Sequence, residues 1–229
     1  MMKNQNKIKI ISYNLRYHRA GVELEKLTKA YNADILCLQE CRGDRLPDEI
    51  GNLILGDKTP NWRLNIAVYY RKDRFTLTDS TSHVLKKAFL EWLFMPEMER
   101  LLVTKIYDRW SQKEVCVGGF HATSHVATNY VRKRQISTAH QVLLEHSDGC
   151  PTVMVGDYNY LLFKRGLKIR IEKSGYQLTL SDRPTYYFNK YLGVRFDMAT
   201  SMNACVEGVK ALPKSKLSDH TPILVQLSV

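Results

Sequence analysis

Short apolar segments separated by polar turns recur along the whole chain and limit what it can fold into. Residues 7–13, 34–39 and 101–107 are examples, each rich in Ile, Val, Leu or Tyr. Such short runs are typical of β-strands, because helices are usually longer. Two longer stretches, 21–32 and 128–145, carry apolar side chains at helical spacing. Many strands with few helices indicate an α/β sandwich.

The start of the chain predicts a β-α-β unit. Its two strands, 7–13 and 34–39, end at Asn14 and Glu40. Open α/β sheets bind their ligands beyond the carboxyl ends of the strands. We therefore expect both side chains to lie at a ligand site.

The rest of the chain adds strands and few helices. Residues 41–60 are rich in Gly, Asp and Pro, which predicts a loop. Pro222 has no N–H for a β-ladder, so we expect it at the start or edge of the last strand. No repeat or linker interrupts the chain, and we expect residues 1–229 to form a single domain. The other predicted strands are 64–70 paired with 75–78, 101–107 paired with 114–120, 152–155, 195–199 and 223–227.

Composition places the chain among ordinary globular proteins. It is 44% hydrophobic and 25% charged, which allows a sizeable core. No run of about 18 apolar residues is present, and the polar start lacks the apolar region of a signal peptide. The five cysteines form no Cys-x-x-Cys pair, which is typical of free thiols in a reducing compartment. We expect a cytoplasmic protein, and a monomer.

The chain is strongly basic. Its net charge is +11 and its pI is about 9.4. An excess of this size favours polyanionic partners, with nucleic acid ahead of an anionic membrane. The alternative is that the charge only keeps the protein soluble.

Polar residues capable of catalysis follow one apolar segment after another. Each has a structural alternative: a lone Glu is usually a solvated loop acid, Gly-Asp-Tyr-Asn favours a turn, and a lone His or Asp often only hydrogen-bonds locally. Their recurrence at one end of successive strands indicates a shared site. The residues are Asn14, Glu40, His121, Asp157, Asn159, Asp197, Asp219 and His220.

In this order the motifs resemble those of the endonuclease/exonuclease/phosphatase superfamily. That group includes deoxyribonuclease-I-like nucleases, abasic-site endonucleases, inositol polyphosphate 5-phosphatases, deadenylases and neutral sphingomyelinases. Arg132-x-x-Gln135, after His121, also resembles a motif of the group. The other matching motifs are Tyr13-Asn14, Leu38-Gln39-Glu40, Gly156-Asp157-Tyr158-Asn159, Phe196-Asp197 and Ser218-Asp219-His220-x-Pro222.

The resemblance implies a four-layer α/β sandwich, in which two mixed β-sheets are flanked by helices, with Mg²⁺ or Mn²⁺ at one end. Glu40 would be the main metal ligand, supported by Asn14 and Asp219. A few hard oxygen ligands suit Mg²⁺, which keeps several waters and shares its sites with substrate phosphate.

The resemblance also implies roles for the other residues. Asp157 would orient or deprotonate the attacking water, and Asn159 would donate to a phosphate oxygen. His220, held by Asp197, would contact the scissile phosphate, because an Asp–His pair fixes the tautomer and raises the basicity of the imidazole. His121 would be a second histidine on the phosphate side.

The chain departs from the family pattern after residue 120. The family usually has Thr-His-Leu or Asn-x-His-Leu there, whereas this chain has His121-Ala122-Thr123-Ser124-His125. We prefer His121 for the site because it directly follows a strand, and His125 is the alternative. A His-x-x-x-His zinc pair is a rival interpretation of the same residues. Tyr158 stands where Phe is common.

Three basic groups bear on the substrate: 132–134, 164–173, and Lys210 with Lys214 and Lys216. Contacts to phosphates supply most non-specific affinity for nucleic acid. We therefore predict a nuclease that acts on DNA before RNA, with Arg132, Lys214 and Lys216 binding substrate. One alternative is a lipid or inositol-phosphate phosphoesterase that uses residues 89–95 as an interfacial patch. Another is an inactive nucleic-acid-binding module.

Overall fold

A computed structural model describes residues 6–60, 64–85, 100–124, 127–162, 164–189 and 192–229. The helices within these ranges are α1 Leu24–Tyr31, α2 Asn129–Ser147 and α3 Lys164–Lys173, with short 3₁₀ turns at Arg19–Glu23 and Gly43–Arg45. In chain order the strands are β1 Lys7–Asn14, β2 Ile35–Cys41, β3 Glu49–Ile50, β4 Leu53–Lys58, β5 Asn65–Arg71, β6 Phe75–His83, β7 Leu101–Asp108, β8 Lys113–His121, β9 Thr152–Asp157, β10 Gln177–Leu180, β11 Tyr186–Tyr187, β12 Gly193–Val194, β13 Asp197–Met202, β14 Cys205–Ala211 and β15 Ile223–Ser228.

The strands form two mixed sheets and a short ribbon. The first sheet has the order β14-β15-β1-β2-β5-β4-β3, and the second has the order β10-β13-β9-β8-β7-β6. β1 and β2 are parallel, which confirms the predicted β-α-β start. β8 and β9 form the parallel pair of the second sheet. The ribbon consists of β11 and β12.

Alternation along the strands sorts the apolar side chains into layers. Ile8 and Ile10 of β1 belong to the core between the two sheets, together with residues of β8, β9 and β13. Ile11 and Tyr13 point to the opposite face, where they join Leu24 of α1. The outer face of the second sheet packs against α2 and α3. Because successive side chains of a strand point to opposite faces, both faces of each sheet are covered, and the result is the four-layer α/β sandwich that the resemblance implied.

Residues 64–70 and 75–78 were predicted to pair with each other, and this prediction is wrong. β5 pairs with β2 and β4 in the first sheet, whereas β6 pairs with β7 in the second. Arg74 lies in the turn that joins them and is buried. Its guanidinium reaches Asp108 at 2.7 Å and donates to the carbonyl oxygen of Lys7 at 2.8 Å. The chain crosses between the sheets here, and this buried ion pair compensates the charge that the crossing buries.

Residues 41–60 were predicted to form a loop, and this prediction is also wrong. They contain β3 and β4, which lie at the edge of the first sheet. Edge strands tolerate Gly, Asp and Lys, so their composition is close to that of a loop. The basic segment 164–173 forms α3. The aromatic patch at residues 89–95 lies outside the described residues.

In the part of the chain that the structure describes, no helix has the length and apolar character needed to cross a membrane.

Candidate active site

The side chain of Glu40 is placed by a β-bulge. The pairing of β2 with β5 shifts register between Leu38 and Cys41, and Glu40 has a φ of +52°. Bulges re-aim side chains and are frequent next to active sites. The bulge holds Glu40 at the carboxyl end of β2, where its Oε2 accepts from the backbone N–H of Tyr17 at 3.2 Å.

Asp157 is placed by the glycine before it. Gly156 has a φ of +150°, and a β-carbon there would overlap the carbonyl oxygen of Phe120. Only glycine allows so close an approach of β8 and β9. The register of the second sheet then sets His121 and Asp197 on either side of Asp157.

The Asp157 carboxylate lies at the centre of the candidate active site, between Asn14, Asn159, His121 and His220. Its Oδ1 accepts from the backbone N–H of Asn159 at 2.9 Å. Its Oδ2 accepts from the side-chain amides of Asn159 at 2.9 Å and Asn14 at 3.3 Å. The Nε2 atoms of His220 and His121 lie 3.5 Å and 3.8 Å from the same oxygen. Asp157 is 1% exposed, and this burial raises the pKa of its carboxyl group.

Glu40 and Asp157 face each other across two shared neighbours. The Asn14 amide that donates to Asp157 also donates to Glu40 Oε1 at 3.1 Å. His121 Nε2 lies 3.8 Å from both carboxylates. Burial, with Arg100 and His220 adding to it, lowers the pKa of His121 to about 3. His121 is therefore a neutral imidazole at neutral pH.

His220 is paired with Asp197. The Nδ1 atom of His220 lies 2.9 Å from Asp197 Oδ2, and both residues are buried. Burial lowers the pKa of His220, but the carboxylates of Asp197 and Asp157 outweigh it and raise the pKa. Tyr186 places its ring centroid 5.0 Å from that of His220. The pair is thus a charged imidazole with one nitrogen fixed and the other turned toward Asp157.

Ser218 joins the two ends of the site, a role that the sequence analysis did not assign. Its hydroxyl donates to the backbone carbonyl of Asn14 at 2.8 Å and accepts from the backbone N–H of His220 at 3.1 Å. It is 3% exposed. A serine that holds both backbones fixes the distance between the end of β1 and the segment before β15.

A left-handed turn follows Asn14, and no local sequence pattern indicated it. Arg16, Tyr17 and His18 have φ values of +49°, +55° and +68°. The backbone N–H of Arg16 donates to Asn14 Oδ1 at 3.0 Å. Consecutive non-glycine residues in this region carry backbone strain, which is frequent at functional sites. The turn leaves the Tyr17 ring exposed beside Glu40.

The chain also matches the sequence model of a known family. The model of the Endonuclease/Exonuclease/phosphatase family matches residues 11–220. The chain belongs to this family. Its members are phosphoesterases. No curated protein sequence matches the chain significantly.

Solved structures of the family share the fold at low sequence identity. D. rerio TDP2 complexed with single strand DNA product is 16% identical with a TM-score of 0.74, covering 97% of this chain and 99% of that one. An endonuclease/exonuclease/phosphatase from Bacteroides vulgatus is 15% identical with a TM-score of 0.72, covering 97% and 99%. The Bacteroides thetaiotaomicron mannosyl-6-phosphatase Bt3783 is 16% identical with a TM-score of 0.72, covering 97% and 100%.

Members of the endonuclease/exonuclease/phosphatase family generally use a divalent metal, and Glu40 has the chemistry to hold one. Its carboxylate is partly exposed, and among the described residues no Lys or Arg nitrogen pairs with it within 4.0 Å. His121 Nε2 lies 3.8 Å away, but this imidazole is neutral. An anionic oxygen without a cationic partner suits Mg²⁺ or Mn²⁺. Asn14 presents its amide nitrogen to Glu40, so it would bind a metal only after the amide turns over.

A second group of potential ligands lies deeper. Single ligand atoms of Asp157, Asp197 and His220 lie within 4.8 Å of one another. The 2.9 Å contact between His220 Nδ1 and Asp197 Oδ2 and the raised pKa of His220 favour a protonated imidazole, which has no free lone pair for a metal. This group is therefore better suited to hold and move a proton than to bind a cation.

The remaining predicted residues lie at the edge of the candidate active site or away from it. Asp219 is partly exposed, with Oδ2 3.7 Å from Arg16 Nε. Lys214 and Lys216 are exposed. Arg132 is buried, and its guanidinium donates to Ser124 and Asn129, so it holds the start of α2 and is not part of the cluster. His125 lies outside the described residues.

Proposed function

We propose that this member of the family is a divalent-metal-dependent phosphodiester hydrolase that acts on nucleic acid, DNA before RNA. The observation that carries this proposal is the convergence of Glu40, Asp157 and the Asp197–His220 pair at one end of both sheets. Hydrolysis of a phosphodiester develops negative charge on its oxygens, and fixed donors are most effective where that charge develops.

Asp157 is the group assigned to the attacking water. Its Oδ1 and Oδ2 are held by the backbone and side-chain amides of Asn159, so its orientation is fixed. Burial raises its pKa, which brings the basicity of the carboxylate closer to that needed to accept a proton near neutral pH. The side-chain amide of Asn159 would keep its bond to Asp157 and exchange its 3.4 Å contact with the carbonyl oxygen of Ala122 for a phosphate oxygen.

His220 is the group assigned to the phosphate. Because Nδ1 is engaged by Asp197, the hydrogen that His220 can donate to a phosphoryl or leaving oxygen is the one on Nε2, which lies 3.5 Å from Asp157 Oδ2. The raised pKa keeps the imidazole cationic. A metal bound at Glu40 would act as a Lewis acid on the phosphate.

The distribution of charge favours nucleic acid as the substrate. The net charge is +11. Helix α3 exposes four cations, Arg165, Lys168, Arg170 and Lys173, of which Lys168 pairs with Glu172 at 3.6 Å. Lys164 instead turns inward and donates to the carbonyl oxygen of Arg195. Exposed cations of this kind bind phosphates along a polynucleotide and make affinity fall with salt. TDP2, which shares the fold, was crystallised with a single-stranded DNA product.

The test is a substrate panel with and without metal. Plasmid DNA, a single-stranded oligonucleotide and RNA are incubated with the protein in Mg²⁺ or Mn²⁺, and again in EDTA. Vesicles of sphingomyelin or phosphoinositide and a sugar phosphate form the comparison set. We expect metal-dependent cleavage of DNA that is faster than that of RNA and is abolished by His220→Ala.

If the protein cleaves the lipid or sugar phosphates and leaves DNA uncleaved, it is a lipid or sugar phosphoesterase of the family and not a nuclease. Binding of DNA with no turnover of any ester in either metal would make it an inactive binding module. Turnover that persists in EDTA would refute the metal dependence.

A further inference from the structure

A cavity of about 430 Å³ opens next to the candidate active site. We call it the Lys214 pocket and define it by Arg183, Pro184, Tyr187, Asn189, Lys214 and Thr221. We infer that the Lys214 pocket binds a nucleotide unit of the substrate strand other than the one at the scissile phosphate. This inference rests on the proposed function and adds a second binding site to it.

The pocket and the catalytic cluster lie on opposite faces of one short ribbon. Tyr186 turns its ring toward His220, with 5.0 Å between centroids, while the next residue, Tyr187, lines the pocket. The backbones of Tyr186 and His220 form an antiparallel bridge, and Thr221, next after His220, lines the pocket as well. Neighbouring residues of an extended strand point to opposite faces. A polymer held at His220 can therefore reach the pocket around the edge of the ribbon, whereas a small diester cannot.

The lining of the pocket is suited to a phosphate joined to an aromatic base. Its described residues include two cations, Arg183 and Lys214, and no carboxylate. Arg183 is anchored by donation to the carbonyl oxygens of Ala211 and Leu212. The Lys214 ammonium lies 4.6 Å from the centroid of the Tyr187 ring. Aromatic rings beside cations are the usual platform for single-stranded nucleic acid, since the ring stacks on a base and the cation binds the phosphate.

The Tyr187 ring packs closely against a residue that has no side chain, Gly193. Gly193 pairs with Tyr187 across β11 and β12. A β-carbon on Gly193 would lie 2.7 Å from Tyr187 Cε1 and 2.7 Å from Pro184 Cβ. The ring and the proline thus pack directly on the glycine backbone. A platform fixed in this way loses little conformational entropy when a base stacks on it.

The size of the cavity favours a nucleotide over a protein partner. Pockets for small molecules measure about 300–1,000 Å³, and the Lys214 pocket falls within that range at about 430 Å³. Protein partners instead cover wide surfaces of roughly 800 Å² per side. Asp182, next to Arg183, accepts from the backbone N–H of Ala211 at 2.8 Å, so its carboxylate is engaged with the backbone.

The inference is tested by comparing a polymer with a minimal substrate. The metal-loaded enzyme cleaves a short single-stranded oligonucleotide and, separately, bis(p-nitrophenyl) phosphate. In Tyr187→Leu we expect KM for the oligonucleotide to rise about tenfold, and the ratio of kcat/KM for the oligonucleotide to that for the small diester to fall by a similar factor. Gly193→Ala, which displaces the ring without removing it, should shift the ratio in the same direction. The matched control is Tyr107→Leu, a partly exposed tyrosine of β7.

The two substrates distinguish a failure of this inference from a failure of the proposed function. If the unmodified enzyme cleaves neither substrate, the proposed function fails. If it cleaves both and Tyr187→Leu leaves the ratio unchanged, or lowers both rates equally, the inference fails. Nuclear magnetic resonance titration of the unmodified protein supplies a direct readout: thymidine 5′-monophosphate should shift the signals of Tyr187 and Lys214. An equal response to inorganic phosphate would identify a plain anion site and overturn the assignment to a nucleotide.

Discussion

The Nδ1 atom of His220 lies 2.9 Å from a carboxylate oxygen of Asp197, in a setting where both side chains are almost completely buried. Asp197 sits at the start of β13 and His220 just before β15, so strands of different sheets supply the two partners. A buried carboxylate next to an imidazole favours its charged form and fixes its tautomer. This relationship makes His220 a strong hydrogen-bond donor at neutral pH.

We expect Asp197→Asn to lower kcat by about 10² to 10⁴-fold, because the amide cannot stabilise the charged imidazole. The measurement is kcat on single-stranded DNA at saturating metal, with the fold checked by circular dichroism. Asp148→Asn serves as the control, since Asp148 lies on the exposed surface and pairs with Lys105. A kcat within twofold of the unmodified enzyme would remove Asp197 from the mechanism.

Glu40→Gln should weaken metal binding, because the amide lacks the charge that attracts a divalent cation. A ligand that binds only the folded state stabilises it by about 2.7 kcal/mol at a concentration of 100 times Kd. We therefore expect Mn²⁺ to raise the Tm of the unmodified protein and to leave that of Glu40→Gln nearly unchanged. Glu49→Gln is the control, because Glu49 is exposed and pairs with Lys72. Equal Tm shifts in both variants would place the metal elsewhere.

Strands with strong apolar patterns were predictable from sequence. The β-α-β start and the pair 101–107 with 114–120 follow from runs of Ile, Val and Leu, and the structure contains both. The short strands β10 to β12 were missed, since two-residue and four-residue strands carry too little pattern to detect. The predicted 64–78 hairpin failed because local sequence does not reveal that the chain crosses from one sheet to the other at Arg74.

The identity of the clustered residues was more predictable than their geometry. Glu40 was predicted because sheets bind ligands beyond the carboxyl ends of their strands. His220 was predicted because its motif, just before the last strand, resembles one of the family. The bulge that turns Glu40 inward and the contact of Gly156 with Phe120 depend on tertiary packing, which no local pattern encodes. Arg132 was assigned to the substrate from its basic neighbours, yet it is 3% exposed. Charge in a sequence does not tell whether the structure buries it.

The close approach at Gly156 leads to a test of the scaffold. A methyl group at this position would collide with the Phe120 carbonyl oxygen. We expect Gly156→Ala to lower the free energy of unfolding by more than about 3 kcal/mol, as overpacking of a rigid backbone does. The measurement is urea unfolding at neutral pH.

Gly166→Ala is the matched control for Gly156. Gly166 lies in α3, and a β-carbon added there would meet no atom within 4 Å, so alanine should stabilise the helix by about 0.5–1 kcal/mol. If Gly156→Ala costs less than about 1 kcal/mol, β8 and β9 can separate easily and the placement of Asp157 is not rigid.

His140 makes the stability of the fold depend on pH. It is 2% exposed, its Nε2 lies 2.9 Å from Thr200 Oγ1, and its ring stacks on Tyr176 with 4.0 Å between centroids. Burial lowers the pKa of His140 from 6.5 to about 3. Below pH 6.5 the unfolded chain therefore binds a proton at this residue that the folded protein does not bind.

Because the folded pKa is the lower one, the contribution of neutral His140 to stability is complete above pH 6.5 and decreases as the pH falls toward 3. The slope for one such group approaches about 1.4 kcal/mol per pH unit. His140→Phe keeps the stack on Tyr176 and cannot be protonated, while Thr200 retains the Tyr158 hydroxyl as a partner. Urea unfolding of both proteins at several pH values should show the unmodified protein losing stability relative to His140→Phe on acidification. Parallel curves would mean that the folded protein takes up this proton as readily as the unfolded chain does.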